Sequence, residues 1–273
     1  MQRKALFPNV AVMVNPVLKG NRLLLAGVVD YARKHGPWRF IVNDTPVLGR
    51  QPYFGPPYPD GAIISSTQIA AATLLRQLGV PCVLTDSATD EELRQYHIAD
   101  IPVIRKDNHA IGKLAAEHFL DRRFSNFAFV SDPLMRPWSS ERYDGFRHTL
   151  NMAGFNCSAF RSSASRARLP WSRERPFLIK FLNALPRPVA VFAANDERAR
   201  QVMDACHEAD IRMPEQASVL GVDNDERICE TCCPELSSIS TGGKRRGYEA
   251  ARLLDLLMAG KEVQVRPILQ ETP

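Results

Sequence analysis

The stretch Val219–Cys233, VLGVDNDERICETCC, changes from apolar to acidic within a few residues. It opens as a buried β-strand, continues into Asp223, Asn224, Asp225 and Glu226, and ends in three closely spaced cysteines. A buried strand that runs into polar side chains is typical of parallel α/β sheets, where ligands bind beyond the carboxyl ends of the strands. The acidic residues could hold a metal ion, act as catalytic acids or line a polar pocket.

The spacing of these residues argues against a metal site. The acidic run lacks the glycine and the terminal glutamate of a calcium-binding loop. Cys229 and Cys232 have a CxxC spacing, but the sequence offers no second CxxC or HxxxH pair to complete a zinc site. We therefore predict no metal ligands, and we expect the cysteines to be reduced and packed under a loop.

Sequence motifs of enzymes are missing as well. There is no GxGxxG that opens a helix, no GxxxxGK[ST] phosphate loop and no GxSxG nucleophile elbow. The six histidines fall mostly on polar helix faces or in loops. We predict no catalytic residues and no cofactor.

The composition describes a globular chain. Its 273 residues are 45% hydrophobic, which suffices for one large or two smaller domains. The formal net charge of +5 falls short of that of a dedicated nucleic-acid binder. No signal peptide and no apolar run of membrane-spanning length are recognised, so a soluble cytoplasmic protein is expected.

Two series of short β-branched runs and helical patterns follow one another, which predicts βαβ units and parallel sheets. The first series has strands at 10–14, 39–42, 61–64 and 82–84, a helix at 22–35 and a proline-rich loop at 46–59. The second begins with a helix capped by Asp107 and has strands at 127–130, 158–160, 189–193 and 218–222. The pattern closes with a short strand at 237–240, a helix at 244–258 and a strand at 266–269.

Polar side chains follow several of these strands, at the edge where a parallel sheet binds its ligands. They are Asn15, Ser65, Ser66, Asp132, Asn195, Asp196 and Asp223. Asp223 can accept two hydroxyl hydrogen bonds, Arg142 can donate several, and Trp138 can lay its ring against the C–H side of a sugar. These groups together are suited to sugar recognition.

The candidate sugar-binding residues also have ordinary structural alternatives. Arg142 could form a surface ion pair, Trp138 could belong to the core, Asn195 and Asp196 could cap a helix, and Asp223 could be a structural loop residue. The arginine-rich run at 161–175, RSSASRARLPWSRER, could track a nucleic-acid backbone, but a solvated connection before a helix that starts near 174 fits it better.

Four stretches resemble a known family. They are GNRLLLAGVVDYARKHGPWRF at 20–40, WSSERYDGF at 138–146, AVFAANDERAR at 190–200 and SVLGVDNDERICETCCPELSSIS at 218–240. They resemble the ligand-sensing domain of bacterial xylose-operon regulators, which is related to the lactose-repressor sensor domain and to periplasmic sugar-binding proteins. The resemblance covers about residues 8 to 270, and its last stretch is the most specific.

The resemblance implies an α/β fold of two doubly wound parallel-sheet lobes joined by three crossovers, as in type I periplasmic binding proteins. The N-terminal lobe is expected at 1–104 plus 241–263 and the C-terminal lobe at 105–240 plus 264–273, with crossings near 103–106, 238–241 and 263–266. By position, Arg142, Asn195 and Asp223 resemble sugar-contacting residues of the superfamily. Trp138 and Arg22 match the xylose branch, which can carry an acid where this chain has Asn21.

The full predicted ligand-binding set is Asn15, Asn21, Arg22, Trp138, Arg142, Asn195, Asp196 and Asp223. Two positions depart from the family pattern. Thr241 stands where several relatives have a glutamine, and Asp86 matches an inter-strand polar position only loosely. These departures change the set of hydrogen bonds that is available to a ligand.

The resemblance implies a noncatalytic sugar sensor of a transcription regulator, with a monosaccharide, D-xylose as first choice, bound in the cleft between the lobes. Regulators of this type carry an arabinose-regulator-type helix-turn-helix domain after the sensor. We therefore expect a longer protein that contacts operator DNA only through that domain, forms a homodimer and has no membrane partner. A periplasmic-type sugar-binding transport receptor and an uncharacterised enzyme on a doubly wound fold are the alternatives.

Overall fold

A computed structural model of the chain describes residues 7–43, 58–85, 89–161 and 169–263. Their contacts divide them into two compact units. Unit 1 contains the described residues up to Lys106 together with those from Gly242 onward, and unit 2 contains Asp107–Thr241. The chain thus leaves unit 1 after Lys106 and returns to it after Thr241. All of the predicted crossing at 263–266 after its first residue, the strand at 266–269 and most of the loop at 46–59 lie outside the described residues.

The described residues form ten strands and nine α-helices. The strands are β1 (Asn9–Met13), β2 (Arg39–Asn43), β3 (Gly61–Ser65), β4 (Cys82–Thr85), β5 (Val103–Ile104), β6 (Phe127–Val130), β7 (Cys157–Phe160), β8 (Val189–Ala193), β9 (Ala217–Val222) and β10 (Ser237–Ile239). The helices are α1 (Lys19–His35), α2 (Ile69–Gln77), α3 (Asp90–Gln95), α4 (Asn108–Asp121), α5 (Pro137–Met152), α6 (Trp171–Asn183), α7 (Asp196–Glu208), α8 (Glu226–Cys229) and α9 (Gly243–Met258).

Each unit contains a five-stranded parallel sheet, and the two sheets share one strand order. In unit 1 the order is β2-β1-β3-β4-β5, and in unit 2 it is β7-β6-β8-β9-β10. The predicted fold class of two doubly wound parallel sheets is confirmed. In this order the chain direction across the sheet reverses between the first and third strands, and ligands bind beyond the carboxyl ends at that point. In unit 2 this point lies between β6 and β8.

The central strands are apolar on both faces because helices cover both sides of each sheet. Every residue of β1, β3 and β8 is buried. Successive residues of β1 enter different apolar clusters: Val10 and Val12 pack with α1 and α9, and Ala11 and Met13 pack with α2 and α3. This alternation explains why these strands read as continuous hydrophobic runs in the sequence.

Helices α4 and α5 pack very closely in unit 2, which places Arg142 against the sheet. Asp107 caps α4 as predicted, because its side chain accepts a hydrogen bond from the backbone N–H of Ala110. A Cβ atom on Gly145 of α5 would lie 2.2 Å from the carbonyl oxygen of His109, so only glycine permits this approach. The backbone of α5 is therefore pressed onto α4 next to Arg142.

The predicted elements within the described residues agree with the observed ones to within a few residues. The helix expected near 174 begins at Trp171, and Arg175 on it forms an ion pair with Glu208, at 3.1 Å, rather than joining a continuous basic face. Residues 162–168 of the arginine-rich run lie outside the described residues. Helix α5, the three short helices α2, α3 and α8 and the two-residue strand β5 were not predicted.

Candidate functional site

The carboxyl edge of the unit 2 sheet brings together polar residues from three neighbouring strands. Asp132 follows β6, Asn195 follows β8, and Asp223 follows β9. β8 pairs with both β6 and β9, so the three strand ends are adjacent. This edge contains five of the eight residues predicted to bind ligand: Trp138, Arg142, Asn195, Asp196 and Asp223.

Arg142 lies beneath this edge. Its side chain is 2% exposed, its Nε donates to Oδ1 of Asn108 at 3.1 Å, and its Nη1 donates to the carbonyl oxygen of Ala194 at the end of β8. Because Arg142 is buried, the alternative of a surface ion pair is excluded. The guanidinium is fixed at the point where the chain leaves β8 for Asn195.

Trp138 contributes an aromatic surface next to Arg142. It is half-buried and packs against the apolar cluster of β6, β8 and α5. Its ring centroid lies 4.8 Å from the Arg142 guanidinium and 5.6 Å from that of Arg136, both cation–π distances. The alternative role of Trp138 as a core residue thus holds for part of its ring.

Asp223 occupies a strained turn. Its φ is 105° and that of Asn224 is 49°, so two successive residues with side chains adopt positive φ. The Asp223 N–H donates to the carbonyl oxygen of Ile239 at 2.9 Å, and its Oδ1 accepts from the hydroxyl of Thr241 at 3.3 Å. Thr241 therefore contacts the predicted ligand-binding carboxylate directly.

Asn195 is the N-cap of α7, as its structural alternative proposed. Its Oδ1 accepts from the backbone N–H of Arg198 at 2.9 Å. The cap uses one of the two lone pairs of the amide oxygen and none of the Nδ2 donors. Capping and ligand binding are compatible at this position.

Asp196 is placed differently from the other predicted ligand-binding residues. It is 2% exposed, and its Oδ2 accepts from the backbone N–H of Asp225 at 2.7 Å while its Oδ1 accepts from the hydroxyl of Ser238. Burial raises the pKa of this carboxyl to about 7, although both hydrogen bonds act in the opposite direction. The contacts of Asp196 are directed into the protein, which favours a structural role.

A buried ion pair supports the same edge and was not predicted from the sequence. Arg198 is 1% exposed, and its two terminal nitrogens each donate to a carboxylate oxygen of Glu174 at 2.8 Å. Its Nε donates to the carbonyl oxygen of Ser131, just after β6, at 2.9 Å. Arg198 therefore connects α7, α6 and the end of β6. The partners are far apart in sequence, and no local pattern reveals the pairing.

The three predicted residues of unit 1 lie together where β1 passes into α1. Asn21 on α1 is buried, and its Nδ2 donates to the carbonyl oxygen of Asn15 at 2.9 Å. Arg22 donates through Nη1 to the carbonyl oxygens of Pro16, at 3.2 Å, and Val17, at 2.6 Å. These bonds fix the loop that follows β1. Asp86, which matched the family only loosely, lies outside the described residues.

The cysteine-rich stretch after Asp223 shows no sign of a metal centre. Within the described ranges, no three histidine, cysteine or acidic residues come together in a group that could hold a metal ion. All six cysteines are free thiols, with Cys229 buried below the turn, Cys232 half-buried and Cys233 exposed.

Within the described residues, no helix is both long and apolar enough to cross a membrane.

The fold and this edge of the sheet define the class of the protein. The chain belongs to the family of the periplasmic binding protein-like domain, whose sequence pattern matches residues 116–273. That match includes all of the polar strand ends of unit 2 described above.

The chain is also similar in sequence to curated regulatory proteins. The xylose operon regulatory protein of Haemophilus influenzae is 30% identical over 212 residues, which are 77% of this chain and 54% of that protein. The protein of the same name from Escherichia coli strain K12 is 29% identical over 180 residues, covering 64% of this chain and 46% of the relative. The chain thus spans about half the length of these relatives.

A solved structure shares the fold. The structure described as the xylose-binding transcription activator xylR superposes with a TM-score of 0.78 at 24% identity, over 97% of this chain and 67% of that one. The prediction that the chain resembles the sensor domain of xylose-operon regulators is confirmed by these comparisons.

Proposed function

We propose that the chain is the sugar-binding effector domain of a bacterial transcription regulator, with a monosaccharide as ligand and D-xylose as first choice. The observation that carries the proposal is the set of polar groups at the carboxyl edge of unit 2. Asp223 offers acceptor oxygens, Asn195 an amide and Arg142 a fixed guanidinium, with the ring of Trp138 beside it. Hydroxyl groups and a flat C–H face are the complement of such a set.

The relatives support the regulatory part of the proposal. Those reported above are named as regulators of a xylose operon, and the solved structure that shares the fold is described as xylose-binding. We infer that operator DNA is contacted through a helix-turn-helix domain outside these 273 residues. We expect a homodimer, because regulators of this kind read paired DNA sites. We expect it in the cytoplasm, because that is where a bacterial regulator meets its operator DNA.

Asn15, Asn21 and Arg22 remain part of the proposed ligand-binding set. The loop that they fix follows β1, the first strand at the switch point of the unit 1 sheet. In unit 2 the corresponding strand is β6. Asp196 is the one member for which the contacts described above suggest another role.

The ligand is tested by a thermal-shift screen of neutral monosaccharides and sugar acids, followed by calorimetry on each hit. A ligand present at about a hundred times its dissociation constant adds about 2.7 kcal/mol to the stability of the fold. We expect D-xylose to give such a shift. A shift with another sugar instead would remove the xylose assignment, and no shift with any sugar would refute the sugar-binding proposal.

Asp223 provides the site-specific test. Asp223→Ala is expected to weaken sugar binding at least about tenfold, because each hydrogen bond to a charged group is worth about 1.5–3 kcal/mol. The matched control is Glu230→Ala, since Glu230 is an exposed acid in the same segment. Unchanged affinity in a folded Asp223→Ala variant would exclude Asp223 from the site.

The alternative of a sugar-binding transport receptor is favoured by the family alone, since the matched domain is described as periplasmic binding protein-like. It predicts the same sugar affinity but no effect on DNA binding. The two functions separate when the full-length gene is expressed and its product is tested for sugar-dependent binding to DNA upstream of neighbouring sugar-utilisation genes. Sugar binding without any DNA binding would favour the receptor.

A further inference from the structure

The carboxylate of Asp196 lies directly behind the turn that carries Asp223. Its Oδ2 accepts from the N–H of Asp225 at 2.7 Å, and its Oδ1 accepts from the hydroxyl of Ser238 on β10. The Ser238 oxygen in turn accepts from the N–H of Asn224 at 2.9 Å. One side chain on α7 is thus connected to two successive backbone amides of the turn, one directly and one through Ser238.

The turn needs such anchors because its backbone is strained. Positive φ at Asp223 and Asn224 is an unfavourable conformation for residues with side chains, and it persists only where surrounding contacts determine it. The N–H of Asp223 is held by the carbonyl oxygen of Ile239. The next two amides depend on Ser238 and Asp196, so their loss would allow the turn to relax.

Strand β9 has room for the carboxylate of Asp196 because it carries a glycine, Gly221, beside it. Gly221 lies two residues before Asp223 on β9, and a Cβ atom there would be 2.4 Å from Oδ1 of Asp196. A side chain at this position would displace the carboxylate, so glycine is required by close approach. The fit between Gly221 and Asp196 is a second, independent observation that this carboxylate belongs inside the protein.

From these contacts we propose that Asp196 is a positioning residue that holds Asp223 in its ligand-binding orientation through Asp225 and Ser238, without contacting the ligand. The proposal deepens the proposed function and rests on it. It also changes the predicted role of Asp196, which is retained in the site as a supporting residue. Asp196 acts on affinity only through Asp223.

The first experiment needs no ligand. Hydrogen–deuterium exchange is measured on the full chain for wild type, Asp196→Ala and Asp196→Asn, with Glu197→Ala as the control, since Glu197 is the exposed neighbour on α7. Asp196→Ala is expected to speed exchange of the amides of Asn224 and Asp225 at least about tenfold, because both lose their anchoring. Asp196→Asn retains one acceptor oxygen and is expected to restore part of the protection.

The outcome is specific to the turn. Amides of β6 and β8 are expected to exchange at the wild-type rate, so faster exchange throughout unit 2 would indicate general destabilisation and overturn the proposal. Unchanged exchange at Asn224 and Asp225 would overturn it as well. If Asp196→Ala does not fold, Ser238→Ala removes the link to Asn224 and takes its place in the same comparison.

The second experiment is a double-mutant cycle in sugar affinity, measured by calorimetry with D-xylose and with every sugar that shifts the melting temperature of the wild type. Asp196→Ala is expected to weaken binding about tenfold in the wild-type background and less than about twofold in the Asp223→Ala background. Equal losses in both backgrounds would mean that Asp196 contacts the ligand itself or acts independently of Asp223. Gly221→Ala, which displaces the carboxylate, is expected to reproduce the Asp196→Ala result.

The two experiments distinguish a failure of the proposed function from a failure of the positioning role of Asp196. If no sugar binds the wild type, the proposed function is refuted, and exchange at the turn still decides whether Asp196 positions Asp223. If sugar binds but the cycle is additive, the proposed function stands and the positioning role is refuted.

Discussion

Replacing Asp196 with asparagine is expected to change how the stability of the fold depends on pH. Burial raises the pKa of this carboxyl to about 7 from its ordinary value of 3.8, hydrogen bonds from Ser238 and the Asp225 amide partly offset this, and the charges of Asp223 and Asp225 raise it further. The folded state therefore binds the proton more tightly than the unfolded chain does. Asp196 stabilises the fold most below about pH 4, and this stabilisation is lost as the pH rises toward 7.

The magnitude follows from the pKa difference. One pKa unit corresponds to about 1.4 kcal/mol, and nearly all of the slope falls between the unfolded and folded pKa values. Asp196 should therefore lower the free energy of unfolding by about 2–3 kcal/mol between about pH 5 and about pH 8. Asp196→Asn has no proton to lose, and the other titrating groups are common to both proteins. The variant is expected to gain this amount relative to wild type over the same range.

Urea unfolding followed by circular dichroism at several pH values measures both free energies. Glu197→Gln is the control, because Glu197 is the exposed acid next to Asp196 on the same helix. A constant difference for Asp196→Asn would show that the pKa of Asp196 is not raised. A wild type that becomes more stable than the variant with rising pH would show that the hydrogen bonds outweigh burial.

Three further predictions concern packing and the thiols. Glu174→Ala leaves the buried Arg198 guanidinium without its bidentate partner and should cost about 3–5 kcal/mol in urea unfolding. Gly145→Ala should destabilise the fold by about 1–3 kcal/mol in the same assay, although alanine favours helices, because its Cβ would meet a backbone carbonyl of α4. Iodoacetamide should modify exposed Cys233 before buried Cys206, whose pKa burial raises to about 11, as peptide mass spectrometry would show.

Each of these predictions has a control within unit 2. Glu197→Ala disrupts an exposed pair with Arg200 and should cost less than about 1 kcal/mol, so an equal cost for Glu174→Ala would contradict the buried-pair argument. Ser140→Ala, on the same helix as Gly145, should be close to neutral. In urea Cys206 should react as fast as Cys233, and protection that persists there would show that burial is not the cause.

The sheets were predictable because their signal is local. A run such as VAVFA in β8 is apolar at every position, as a strand covered on both faces must be, and the cap at Asp107 is read from one side chain and the helix after it. The polar residue after each strand was then placed correctly at the carboxyl edge, because parallel strands end on the same side. Only topology was needed for that step.

Other features depend on pairings over long distances in the sequence. Strand β5 is two residues long and pairs only with β4, so it is too short to give a recognisable local pattern. Glu174 and Arg198 meet because α6 and α7 pack together, and neither residue is marked as buried by its neighbours in the chain. The position of Asp196 after strand β8 suggested a ligand contact, and the actual direction of its carboxylate follows from contacts with Ser238 on β10 and the amide of Asp225.

The first turn of α7 is where these long-range contacts converge, and stability alone does not explain its charges. A buried ion pair is often no more stabilising than apolar residues of the same volume, and an ionised buried carboxylate opposes folding. Yet Nε of Arg198 donates a hydrogen bond to the carbonyl oxygen of Ser131 after β6, and Oδ2 of Asp196 accepts one from the backbone N–H of Asp225 after β9. Both charges are therefore used to orient strand ends that present polar groups at the carboxyl edge. Under the proposed function, substitutions in this layer should change ligand affinity and preference without any contact to the ligand, because they move the residues proposed to make the contact.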